Sequence, residues 1–237
     1  MARTFTKNTA NYISMGTGTI GTILNGAAAV SFHANVNFTS FDAGDSATGD
    51  QFLYIPINGT STGIVGCIDG SGGGSNQKFK VGGRSQAADS FQARSGTTNL
   101  TTGVWYPLGG VIDYSADTIT GYLSGAAENG GAATFGATSY THGTPSTTDK
   151  LSNAASTAQM LDGVLCEVGI WNVALTAGEM LALGKGFSPL LVRPSSLIFY
   201  MPLMGRVSPE PDRVRGNNGT VNGTLAQADH ARVIYPD

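Results

Sequence analysis

The chain is short of charge. Only 12% of its 237 residues are Asp, Glu, Lys or Arg, where roughly a quarter is typical of soluble proteins. The formal net charge is −3. Phosphate binding needs clustered Lys and Arg, and no such cluster is present, so no nucleic acid is expected as a partner. Cysteine is nearly missing too. Cys67 and Cys166 are too few for a disulfide framework. Each sits in an apolar run, GIVGCIDG or GVLCEVGIW, where a free thiol behaves as a small buried hydrophobe. Synthesis in a reducing compartment also disfavours a bridge between them. No 18 apolar residues follow one another, which excludes an apolar helical membrane span and argues against membrane insertion. The opening MARTFTKNTANYISMG lacks the apolar stretch of a secretory signal, so cytoplasmic synthesis without a signal peptide is expected. The Asn-x-Ser/Thr triplets at Asn37, Asn58, Asn99, Asn218 and Asn222 then read as by-products of composition rather than glycosylation sites.

What is abundant is glycine, 34 residues, together with Thr, Ser and Asn, which suit short strands and many turns. The apolar period is two. Segments NYISM (11–15), AVSFHANVNF (29–38), QFLYIPI (51–57), KFKVGG (78–83), SFQAR (90–94), WYPLGGVIDY (105–114), TITGYLSG (118–125) and GVLCEVGIW (163–171) are separated by Gly, Asn, Asp or Ser clusters, the pattern of a sandwich or barrel. One short helix is predicted near 177–184: Thr176 caps it, Glu179 completes a capping box, and Gly184 and Gly186 end it. Residues 126–160, rich in Ala, Gly, Ser and Thr, read as a long surface excursion with one strand at most, of the kind that often carries function.

Several patterns bear on chemistry. Gly59-Thr60-Ser61-Thr62-Gly63 fits G-x-S-x-G, but a strand pattern follows where the nucleophile elbow needs a helix, so it reads as a hairpin turn. Gly16, Gly18 and Gly21 fit G-x-G-x-x-G, yet neither a following helix nor a βαβ unit is evident. Glycoside hydrolysis needs two carboxylates flanking the bond. Glu167 stands in a defined strand without a second acid beside it. No catalytic residue is assigned, and a non-enzymatic role is expected. Asp42, Asp45 and Asp50 offer oxygen ligands for Ca²⁺ without matching a defined calcium loop. Among the aromatics, Trp105, Tyr122, Tyr140 and Trp171 could stack on sugar rings if exposed. Trp105 and Tyr140, with His142 beside the latter, are the glycan-binding candidates.

Two stretches resemble laminin G-like domains. Trp105, Val111-Ile112-Asp113-Tyr114, Ile119 and Tyr122-Leu123-Ser124-Gly125 resemble that family's central hairpin. Leu161-Asp162-Gly163 through Ile170-Trp171-Asn172 to Leu175 and Glu179-Met180 is similar to the signature closing many concanavalin A-like lectin and glucanase folds. LIFYMPL (197–203) and RGNNGTVNGTL (215–225) resemble the family's first strand and its following turn, displaced to the far end as in a circular permutation.

The resemblance implies an all-β, antiparallel jelly-roll β-sandwich of the concanavalin A-like kind, formed by 1–237 as one domain. Within it, 187–237 serves as closing strand or as assembly arm. It also implies calcium at a loop rim as an option. Small domains of this kind with few charges are similar to proteins encoded by tailed bacteriophages. The first expectation for function is therefore a virion structural protein, a capsid decoration or head-fibre protein. It would be homo-oligomeric, lie on the virion surface and contact a phage capsid or other virion protein. Arg206, Arg213, Arg215 and Arg232 would be its assembly contacts. The alternative is a lectin-like adhesion module that recognises surface glycans.

Overall fold

The computed structural model describes residues 1–7, 10–41, 49–69, 77–152 and 159–236. Alternating apolar residues build two antiparallel sheets. The first contains, in spatial order, β10 (Ala126–Ala132), β9 (Thr118–Leu123), β8 (Trp105–Asp113), β3 (Ala29–Phe38), β12 (Gly163–Trp171), β1 (Ala2–Phe5) and β15 (Ala226–Ala228), with β13 (Leu197–Met201) also paired to β12. The second runs β14 (Thr220–Asn222), β2 (Tyr12–Thr17), β11 (Thr148–Leu151), β4 (Gln51–Asn58), β5 (Ser61–Asp69), β6 (Lys78–Gly83) and β7 (Gln92–Asn99). The two form a jelly-roll β-sandwich.

The core lies between them. In β3 the inward set is Val30, Phe32, Ala34, Val36 and Phe38, all fully buried. Phe32 meets Phe52 edge-on at 6.2 Å, and Phe52 stacks with Phe79 at 6.0 Å. Gly66 makes that approach possible, since a Cβ there would sit 2.6 Å from the Phe52 ring.

The outward face of the first sheet is not free. Trp171, Leu175, Met180, Leu183, Val192, Leu197 and Tyr200 form a second buried cluster over it, and α2 (Ala177–Gly184) is its lid. The capping box is present: Glu179 N–H donates to Thr176 Oγ1 at 3.3 Å, and Thr176 N–H donates to Glu179 Oε2 at 2.7 Å. The helix ends in a Schellman motif. Phe187 N–H reaches the Ala182 carbonyl, Gly186 N–H reaches that of Leu183, and Gly186 takes the left-handed conformation at φ +88° that glycine adopts without steric cost.

The C-terminal segment folds back on its own chain, adding β13 and β15 to the first sheet and β14 to the second. β12 switches partners along one edge: Gly163–Leu165 pair with β1 and Val168–Trp171 with β13. Between the two stretches lies a bulge. There Glu167 takes φ +58° and its side chain is fully buried. Three groups close on that carboxylate. Tyr200 Oη donates to Oε2 and Tyr235 Oη to Oε1, each at 2.7 Å, and His230 Nε2 lies 3.1 Å from Oε1. Burial alone would lower the His230 pKa, but hydrogen bonds with Cys166 and Glu167 raise it to about 10, so the ring is an imidazolium at neutral pH. At the other end, Arg3 of β1 donates to Glu210 Oε1 at 2.6 Å and to the carbonyls of Val207 and Leu225. Asp212 accepts backbone N–H groups of Tyr200, Val214, Arg215 and Asn217. Both cysteines are free and buried.

Three expectations need correcting. The described part of residues 126–160 supplies two strands rather than one at most, β10 at an edge of the first sheet and β11 inside the second, and Tyr140 is fully buried. A second helix exists, α1 (Thr19–Leu24), too short to show a period. The strand expected at 90–94 begins at Gln92 and runs on to Asn99 through polar residues that carry no alternation.

Two outcomes follow from this packing. A Cβ at Gly184 would meet the backbone of Ser124 and Gly125 at 2.3–2.4 Å, so Gly184→Ala should cost about 1–3 kcal/mol of overpacking in denaturant unfolding, against about 1 kcal/mol for removing the cap with Thr176→Ala. The His230 pKa is raised above its unfolded value of about 6.5, so its contribution is complete below that value and is lost as pH rises through about 10. His230→Gln should therefore be less stable than the parent by about 2 kcal/mol near pH ~6, with the gap closing above pH ~10. A gap that stays constant with pH would show that the imidazolium is not what holds the segment.

Candidate functional site

Strand alternation on β3 sends Ser31, His33, Asn35 and Asn37 to the outward face, opposite the core set. Register with β8 places Pro107 beside Asn35 and Trp105 beside Asn37. α2 lies against β8 and β10 and stops at Gly184, and the C-terminal segment crosses next to that end. Its passage is fixed by backbone: Ile234 N–H donates to the Gly186 carbonyl at 2.7 Å, and Ser188 N–H to the Ile234 carbonyl at 2.9 Å. The left-handed turn at Gly186 presents both groups.

These three elements leave a cavity of about 480 Å³. Asn35, Trp105 and Pro107 line it from the sheet, Gly184, Lys185 and Gly186 from the helix end, and His230, Ala231, Arg232 and Ile234 from the C-terminal segment. Trp105 is half-buried, held against the core while still bordering the cavity. Asn35 is 4% exposed, and its side-chain amide makes no hydrogen bond among the described residues. The residue borders the open space of the cavity. His230 is committed elsewhere: Nδ1 faces the Ala231 carbonyl at 2.7 Å and Nε2 faces Glu167. Lys185 and Arg232 are exposed, with no side-chain hydrogen bond or ion pair among the described residues. An aromatic side, a hydrogen-bonding amide and two cations suit a polar ligand with an apolar face.

A second cavity of about 420 Å³ lies beyond Tyr235, lined by Leu190, Tyr200, Pro202, Met204, Arg213 and Tyr235. It is mostly apolar, and Arg213 is its sole cation.

The structure separates the residues singled out from sequence. Trp105 and Arg232 meet at the first cavity, and Arg213 lines the second. Arg206 and Arg215 are exposed and line neither. Tyr140 is 0% exposed, packed 5.9 Å from Tyr114 beyond the far end of β8 from Trp105, so it offers no face to a sugar. Tyr122 and Trp171 are likewise buried. His142 stacks with Tyr140 at 6.1 Å and shares its place away from the cavity. Asp42 and Asp45 lie outside the described residues. Asp50 is buried and turned to Lys7, 3.5 Å from its Nζ, and no group of three or more His, Cys, Asp or Glu converges as a metal site among the described residues.

The G-x-G-x-x-G stretch does run into a helix, contrary to expectation. The slot at the start of α1 is already filled: Asp149 Oδ2 accepts the Ile20 N–H at 2.7 Å. Burial pushes that carboxyl up to about 7 even though backbone N–H groups of Ile20, Gly21 and Thr19 favour its charge. Gly59 and Ser61 form the β4–β5 hairpin turn.

Asn35, Lys185 and His230 also line the cavity without having been singled out from the sequence. The signal for Asn35 was present, since polar residues alternate along AVSFHANVNF. Nothing local marks Lys185 or His230, which reach the cavity through the helix stop and the returning chain.

No family model and no curated relative matches the chain. Solved structures do. A Bacteroides ovatus protein provisionally described as carbohydrate-binding superposes with a TM-score of 0.69 at 21% identity, over 98% of this chain and 61% of that one. This chain thus spans about three fifths of its length. Domain 4 of an extracellular arabinanase from Geobacillus stearothermophilus, solved in complex with arabinotriose, gives 0.52 at 15% identity, covering 77% of this chain and 76% of that domain. The LG4-5 domains of the mouse laminin α1 chain give 0.51 at 8% identity, covering 75% and 43%. At such identities the likeness is one of fold, and that fold is the laminin G-like, concanavalin A-like β-sandwich.

Proposed function

We propose that the chain is a carbohydrate-binding module whose site is the cavity between β3, β8, the end of α2 and the C-terminal segment. One observation carries this reading: the ring of Trp105 and the unpartnered amide of Asn35 border the same 480 Å³ space. Sugars present an apolar C–H face and a rim of hydroxyls, which an aromatic ring and an amide match. The neighbours lean the same way, one being described as carbohydrate-binding and another holding arabinotriose.

Binding without hydrolysis is the role proposed. Glycosidic cleavage needs two carboxyl groups about 5–10 Å apart across the bond, and no Asp or Glu lines this cavity. Both oxygens of the nearby Glu167 are engaged by Tyr200, Tyr235 and His230. The virion-decoration role draws support from composition and a sequence resemblance, whereas the glycan role has a cavity behind it, and so stands first.

Calorimetric titration against a panel of neutral and acidic oligosaccharides tests the assignment. Trp105→Ala should weaken binding about tenfold, the scale of a lost aromatic contact, and Asn35→Ala about fivefold, the scale of one hydrogen bond. Sugar binding that neither substitution changes would move the site elsewhere on the molecule.

A further inference from the structure

Resting on that glycan reading of the cavity, we propose that its ligand is an acidic sugar: a saccharide whose carboxylate or sulfate lies between Lys185 and Arg232 while its ring packs on Trp105. The support is the distribution of charge. The protein carries few cations, and several are spent internally: Arg3 on Glu210, Lys7 on Asp50, Lys80 on Asp69 and Arg193 on Glu179. Lys185 and Arg232 have no such partner among the described residues, and both line one cavity whose lining holds no Asp or Glu. Asp229, next in sequence to His230, is exposed and outside that lining.

His230 does not alter this balance, because its charge is matched by Glu167 at 3.1 Å. What remains at the mouth is two unmatched positive charges in a protein of net charge −3. Two unlike elements present them, the helix end and the returning segment, so their convergence is a product of the fold rather than of a local basic run. A guanidinium and an ammonium lining one cavity suit a compact oxyanion, with the Arg232 fork matching two of its oxygens. A neutral sugar would leave both cations without use.

The test uses the full chain and three oligosaccharides of equal length in calorimetry: one of hexuronate units, one O-sulfated and one neutral. The inference expects the uronate, the sulfated sugar or both to bind at least about tenfold more tightly than the neutral one, with Lys185→Gln and Arg232→Gln each removing most of that advantage. Which acidic arm binds identifies the anion. Arg213→Gln and Arg215→Gln, away from the cavity, should leave the preference intact. An equal loss from those controls would make the effect a general charge attraction and overturn the inference. A neutral sugar that binds as tightly as the acidic ones, in a manner sensitive to Trp105→Ala, would overturn it while leaving the glycan site standing. No binding of any arm, or binding insensitive to both Trp105→Ala and Asn35→Ala, would remove the glycan site and the inference together. Lys185 and Arg232 are exposed, so an unchanged melting curve confirms that their variants are folded.

Discussion

The buried carboxylate of Glu167 holds the last part of the chain in place, and the candidate site depends on it. Burying a carboxylate in a sandwich is costly unless its oxygens are satisfied. Here they take two tyrosine hydroxyls and an imidazolium, and all three groups, Tyr200, His230 and Tyr235, belong to the C-terminal segment. Satisfying the carboxylate and docking the segment are therefore the same event. The bulge that turns Glu167 out of the ladder marks the point where β12 changes partners from β1 to β13. Any side chain at that point must leave the regular alternation.

Ordinary sheet chemistry surrounds this clamp. One face of β3 packs into the aromatic core between the sheets, and the other is covered by α2 and the chain that follows it. Burial on both faces explains why the strand can carry His33 at 2% exposure, its pKa driven down to about 3 by burial, so that it is a neutral ring. Past Gly184, where that cover ends, a cavity opens on the outward face. The cavity is the gap between a helix that stops and a segment that returns, and its polar lining follows from the outward half of the β3 and β8 alternation.

Much of this was legible in the residues. The β3, β6 and β12 boundaries match the period-two runs, the Thr176 and Glu179 cap is present as read, and both cysteines lie buried in strands. Trp105, read from the sequence as a possible sugar platform, borders the first cavity. Tyr140 looked equivalent to it, however, because a period-two pattern gives alternation but not which of the two faces is later covered. The error over 126–160 has a similar origin: β10 is largely exposed Ala, Gly and Asn, and a strand without an apolar face leaves no pattern. α1 escaped notice because six residues hold less than two helical turns.

Sequence alone determined the class of the fold, since alternation and turn chemistry are local and admit few other architectures. It determined the helix cap and its stop for the same reason. The tertiary structure decided which aromatic keeps a free edge, which arginine meets it and where the C-terminal segment goes. Those outcomes rest on contacts between residues as far apart as Arg3 and Glu210, or Glu167 and Tyr235. The energy of such contacts depends on burial and geometry that no stretch of neighbouring residues encodes.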